Sequence, residues 1–431
     1  MEPPTTTDPS SEHLFRTGLL LFATGFFFIW WDYLHASILV GGLVFALLRT
    51  RRWSRCELLF SELSLTLATT LVAATLFRSL IVPIPLHPKD ALGLILAPIG
   101  FLALFLGARD RPGDLRPILI GVVVIACLTG LISFIQFIHS PFKPHPHARL
   151  WNLFVNRDGL HPVLTGLTSA FAAVAASGLF LTTRRSLPRL SYTIAMIILI
   201  VVCFYTQSRG ALLSLGSGLL ALLLISKSKT ALIPLLIFLA VGAFYQLSPR
   251  FIEYSKTKRP VESSPVERLV DRKDSGRLAL YRLIWSRMET RADFFFGRGI
   301  SANASGKRSE IGWPAHHPHC AYLGTFYHGG ATALLLLAGI LGLTASRLCQ
   351  SSLLNEPNGL IWTALLAAGA AGLIADGANF QSLLSIPRIE PLLFWLPLLT
   401  LNGLWAGSHR ADTEKQPVDQ KEQESTGCSL R

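Results

Sequence analysis

The sequence predicts an all-α polytopic membrane protein, and three observations carry that prediction. Of 431 residues, 51% are hydrophobic and only 15% charged, against about 25% charged in water-soluble domains. Mean hydropathy is +0.46. The apolar residues also form blocks of roughly 17–25, the length a helix needs to cross a hydrocarbon core about 30 Å thick. A formal net charge of +13 would point to nucleic acid in a soluble chain. Here the basic residues flank apolar spans, where they fix orientation, and no nucleic-acid partner is expected.

Twelve spans are expected, near 15–31, 34–48, 58–80, 91–107, 117–138, 162–182, 189–205, 211–225, 230–247, 320–345, 359–375 and 390–406. The first two are short enough to form one helical hairpin. They divide the chain into an N-terminal tail (1–14), nine spans (15–247), a large loop (248–319), three spans (320–406) and a polar C-terminal tail (407–431). The two tails, rich in Ser, Thr, Pro and mixed charge, are expected to be disordered because they lack the apolar residues of a core. Thirteen Lys and Arg, Arg347 among them, follow the even-numbered spans up to the tenth, whereas the short loops on the other side hold seven. The positive-inside rule therefore puts both termini in the cytoplasm and the 248–319 loop outside. No basic segment leads the first span, so no cleavable signal peptide is expected. Of six cysteines, only Cys320 falls near the outer surface, so no disulfide is expected to brace the outer loop. Neither a fixed-period repeat nor an inverted pair of broken helices is visible, which weighs against a transporter.

The outer loop carries fourteen basic and eight acidic residues. Long loops translocate despite their charge, so a solvated basic surface explains part of this excess; an anionic partner at the outer leaflet explains it better. Within the loop, Leu278, Tyr281, Trp285 and Met288 recur at helical spacing and predict an amphipathic helix lying on the outer ends of the spans. A glycine turn follows, Phe296-Gly297-Arg298-Gly299-Ile300, and then His316-His317-Pro318-His319 just before a span. Three histidines in four residues suggest a metal, but Pro318 breaks the helical spacing that paired ligands use, and Cys320 is the sole soft ligand nearby. A structural role is a second reading. A general base fits best, because a neutral imidazole near pH 7 can take a hydroxyl proton. Arg209, in Thr206-Gln207-Ser208-Arg209-Gly210, stands alone between two apolar runs. It either snorkels to the headgroups or serves a site, as ionisable residues at membrane depth usually do.

Four pieces in order resemble the O-antigen ligase and O-antigen polymerase superfamily, which also includes bacterial protein O-oligosaccharyltransferases. They are Ser208-Arg209-Gly210-Ala211 at a span start, Ser275-Gly276-Arg277 opening an outer-loop helix, the Phe296–Ile300 turn, and His317-Pro318-His319 with Tyr322-Leu323 and Gly329-Gly330. The resemblance covers about residues 150–345. Where the family commonly has Asn after its catalytic His this chain has Cys320, and where it often has Trp this chain has Tyr281.

The resemblance implies a GT-C-like glycosyltransferase of the bacterial inner membrane with a periplasmic site and no cofactor or metal. Its donor would be an undecaprenyl-pyrophosphate-linked glycan, and its acceptor a hydroxyl of lipid A–core. His319 would be the base, and His317 would orient it or the acceptor. Arg209 and Arg277 would hold the pyrophosphate, with Arg298, Arg149 and Arg157 as further anion-site candidates. An O-antigen polymerase and a protein O-oligosaccharyltransferase share this chemistry and differ in acceptor. The rival from another class is a permease or flippase for an anionic lipid or solute, in which the same arginines line a path and His319 binds without catalysing.

Overall fold

The computed structural model describes residues 57–139, 149–150, 162–247, 277–307, 317–381 and 391–427. The spans expected at 15–31 and 34–48, most of the outer loop, and Arg157 lie outside the described residues. Within them the long helices follow from apolar blocks, and after a single turn at Leu58–Ser61 the order is α1 (Leu63–Ile81), α2 (Pro88–Asp110), α3 (Leu115–His139), α4 (Pro162–Thr182), α5 (Ser186–Tyr205), α6 (Arg209–Ser226) and α7 (Leu232–Leu247). Two short helices follow, α8 (Arg277–Ser286) and α9 (Arg291–Phe296), and then α10 (Ala321–Gln350), α11 (Pro357–Ala375) and α12 (Leu392–Gly427). Eight of these, α1 to α6 with α10 and α11, are long and apolar enough to cross a membrane. α2 and α11 begin on proline, whose fixed φ suits a first turn and whose missing N–H would have been unbonded there anyway.

α4 sits at the centre, with 17 of its 21 residues buried. Its run of Ala, Gly, Ser and Thr lets α5, α6 and α11 close in; between lipid-soluble helices such close packing replaces the hydrophobic drive that water would supply. A Cβ on Gly218 of α6 would lie 2.5 Å from Val174 of α4, and one on Gly372 of α11 would lie 2.7 Å from Leu167. These contacts draw the start of α6 to the end of α11, which positions the site below.

Three expectations change. The last helix continues to Gly427, through most of the tail expected to be disordered. That stretch is rich in Glu, Lys and Gln, all good helix formers. Arg347, expected in a loop after the tenth span, lies buried in the last turns of α10, where its guanidinium meets Glu62 Oε1 at 2.7 Å and Asn402 Oδ1 at 2.7 Å. It is a partnered interior charge, and its contribution to the orientation count is correspondingly weaker. Finally, the outer-loop helix ends at Ser286 and buries Leu280 and Ile284, while Leu278 and Trp285 are exposed. The helix is apolar over more than half its circumference, so periodicity alone did not select the face that packs.

Candidate active site

Pro318 ends any helix before it, and His319 then takes a left-handed backbone, φ 54°, before α10 begins at Ala321. A non-glycine residue in that region is uncommon and is held there by its surroundings. The holding contact is a short hydrogen bond, His319 Nδ1 to Asp376 Oδ1 at 2.9 Å. Asp376 directly follows α11 and is fully buried. An ionised carboxylate can only accept, so in this hydrogen bond Nδ1 is the donor and the Nε2 lone pair of His319 is left to act as a base. This is the carboxylate–imidazole logic of hydrolytic triads, in which the acid fixes the tautomer and stabilises the imidazolium.

His317 completes the corner. Its Nδ1 receives the His319 backbone N–H at 3.2 Å and lies 3.3 Å from the Gly377 carbonyl. Its Nε2 lies 3.9 Å from Asp376 Oδ1. The two rings lie 3.8 Å apart, centroid to centroid. Ligand atoms of His317, His319 and Asp376 converge within 4.8 Å, and among the described residues these three could hold a divalent cation. A shared ion would need all three lone pairs aimed at one point, whereas the Nδ1–Oδ1 spacing is that of a direct hydrogen bond.

Arg209 reaches this corner through the backbone. It is the first residue of α6, after a Ser208 cap whose hydroxyl accepts the Ala211 N–H at 3.3 Å. A Cβ on Gly210 would lie 3.1 Å from Ala375 and 3.5 Å from the Gly372 carbonyl, so the start of α6 abuts the residues just before Asp376. The positive end of α6, on which Arg209 is the first residue, therefore lies beside the end of α11, and a helix start of this kind suits an anion. Arg277 opens α8. Burial pushes the Tyr281 phenol above its ordinary value; Cys320 and Asp376 push the same way, while the Arg277 charge opposes them. Burial likewise raises the Cys320 thiol, again opposed by Arg277. Arg277, Tyr281, Cys320 and Asp376 are thus electrostatic neighbours.

Two other arginine candidates serve the backbone. Arg149 Nε donates to the Thr206 carbonyl at 2.7 Å, and its NH2 approaches Gln207 O at 3.4 Å. It caps the end of α5 and shapes the turn that presents Arg209. Arg298 hydrogen-bonds the Arg287 carbonyl and lies 3.9 Å from Glu289. Its own N–H bonds Tyr327 O at 2.9 Å, two turns along α10 from His319. The Phe296–Ile300 turn packs there on the Gly329-Gly330 kink. A Cβ on Gly297 would meet the His328 carbonyl at 2.3 Å, and one on Gly330 would meet that of Phe295 at 2.3 Å. Both glycines also have positive φ, 73° and 68°. Arg78 of α1 fastens the clasp, reaching Gly297 O at 2.7 Å and Asp293 Oδ1 at 3.0 Å.

Asp376 is the residue that sequence reading missed. A signal existed: it is the sole charged residue between Glu356 and Arg388, at the end of an apolar span where an unpaired carboxylate is costly. A family profile described as O-antigen ligase matches residues 194–338. The matched segment holds Arg209, Arg277, Arg298, His317 and His319, while Asp376 lies beyond it. That match supports membrane glycosyl transfer of the O-antigen ligase and polymerase type. No curated protein matches the chain.

Proposed function

We propose that the protein is an inverting, metal-independent glycosyltransferase of the bacterial inner membrane, an O-antigen ligase acting on the periplasmic side. Its donor is an undecaprenyl-pyrophosphate-linked O-antigen, and its acceptor is a hydroxyl of lipid A–core. The chain crosses the membrane twelve times in a GT-C-like arrangement, with both termini cytoplasmic and residues 248–319 outside. The observation that carries the reading is the buried Asp376 carboxylate 2.9 Å from His319 Nδ1, which leaves Nε2 as the base of the corner.

In the reaction the acceptor oxygen attacks the anomeric carbon as its proton passes to His319 Nε2. The bond from that carbon to the pyrophosphate oxygen breaks with inversion, and carrier pyrophosphate leaves with the electron pair. General-base catalysis of this kind contributes roughly 10²–10⁴ in rate. Arg209 and Arg277 bind the pyrophosphate and offset the charge that grows on its bridging oxygen, for which rigid, bidentate guanidinium donors suit better than a point charge. The pyrophosphate is a good leaving group already, so no carboxylic-acid pair of the glycoside-hydrolase kind is needed. His317 supports the His319 backbone, and Arg149 positions Arg209.

The test is reconstitution of the full chain in liposomes with carrier-linked glycan and lipid A–core. Glycan–lipid conjugate and free carrier are expected in equal amounts, without effect of a chelator; conjugation that a chelator stops and added metal restores would overturn the base assignment in favour of a metal site. Lipopolysaccharide from a deletion strain separates ligase from polymerase. A ligase mutant leaves bare core and accumulates long carrier-linked chains, whereas a polymerase mutant leaves a single repeat on the core.

A further inference from the structure

A polar cavity lies at the far end of the bundle from the histidine corner. α5 is 20 residues long, about 30 Å at 1.5 Å per residue. Its last residue, Tyr205, leads directly to Arg209, so its first turn at Ser186 is a membrane's thickness from the histidine corner. At that turn a cavity of about 390 Å³ is lined by Arg116, Thr182, Thr183, Arg184, Arg185 and Tyr192. No carboxylate is among its lining residues.

Three guanidinium groups around one cavity repel one another unless an anion joins them. One is already oriented, since Arg116 NH2 donates to Thr183 Oγ1 at 2.7 Å. The hydroxyls of Thr182 and Tyr192 add neutral donors. α5 starts without a side-chain cap at Arg185, so the positive end of its dipole lies at the cavity as well. Orientation alone calls for basic residues at this boundary, but it does not call for a cavity or for threonine and tyrosine hydroxyls within it. An apolar track descends from the same turn: Leu187, Leu190 and Ile194 of α5 are 74%, 57% and 51% exposed and, at i, i+3 and i+7, share one face.

We propose that this cavity binds the phosphate headgroup of an anionic phospholipid in the leaflet opposite the active site, with the acyl chains lying along the Leu187–Ile194 face. Phosphate oxygens take the forked donors of Arg116, Arg184 and Arg185, and basic pockets between spans are where such headgroups are recognised. The bound lipid ties the start of α3 to the α4–α5 turn.

Native mass spectrometry of the full chain, released from nanodiscs holding equal phosphatidylglycerol and phosphatidylcholine, tests this directly. Retained phosphatidylglycerol is expected to exceed phosphatidylcholine; equal retention overturns the proposal without any variant. The R116K/R184K/R185K variant keeps the charge that sets orientation and loses the fork, so phosphatidylglycerol retention should fall about tenfold. Unchanged retention in that variant also overturns it. Inorganic phosphate at millimolar concentration should not displace the lipid; stripping by phosphate alone would show an anion site without lipid recognition.

Discussion

Two stretches carry unusual backbone, the histidine corner at 317–319 and the glycine clasp of 296–300 against 329–330, and they carry it for opposite reasons. At His319 the left-handed conformation belongs to a residue with a long side chain, which Asp376 holds by a hydrogen bond. At Gly297 and Gly330 the same region of φ belongs to residues with no side chain, because a Cβ would strike a carbonyl 2.3 Å away. Both stretches contributed to the family resemblance. The corner joins an imidazole to a buried carboxylate; the clasp supplies close backbone approach between the 296–300 turn and α10. Arg298 sits in the clasp, and its partners there are carbonyl and carboxylate oxygens of its own loop.

The largest effect expected is at the corner. His319→Ala should lower single-turnover transfer by roughly 10²–10⁴ while leaving a folded, inserted protein. His319→Asn, which tolerates the left-handed backbone better, should behave alike; near-normal conjugation by either would remove the base. Asp376→Asn is expected to lower kcat on the order of 10²-fold, with donor KM little changed, since the wrong tautomer of His319 becomes available. A change confined to KM would make Asp376 a merely structural residue.

Gly330→Ala should act on the clasp and not on the chemistry. Its strain and clash are expected to cost about 3 kcal/mol of stability, read as a lower Tm, while the folded fraction keeps its kcat. Loss of kcat at full stability would erase the distinction between the two regions. The arginines sharpen it further. Arg277→Lys should raise donor KM about tenfold because the fork is lost, whereas Arg298→Gln should leave donor KM alone and cost about 1–2 kcal/mol of stability. The smallest effect concerns Cys320: removing the Arg277 charge raises its thiol further, so maleimide should label Cys320 more slowly in Arg277→Ala at a fixed pH near 8. Equal rates would place Arg277 away from the corner.

Much of this was legible because each signal is local. Apolar block length announces a span wherever the span packs, and eight of the described helices are long and apolar enough to cross a membrane. Pro318 beside two histidines advertised a break with imidazoles on it. What stayed hidden depends on partners far along the chain. Asp376 is 57 residues from His319 and outwardly resembles any polar residue at a span end. The carbonyl partners of Arg149 and Arg298 were equally hidden, because a guanidinium looks the same in sequence whether it faces a phosphate or a carbonyl.

Composition and hydropathy alone determined that the chain is helical and membrane-embedded, since the cost of unbonded backbone in hydrocarbon leaves a long apolar run little other choice. Spacing and residue type alone singled out the histidines and arginines. Only the tertiary structure decided which of them meet: small residues on α4, α6 and α11 let three helices approach closely enough to put Gly210 beside Ala375. The buried acid at the end of α11 is thereby placed where it fixes one nitrogen of His319 and leaves the other with its lone pair.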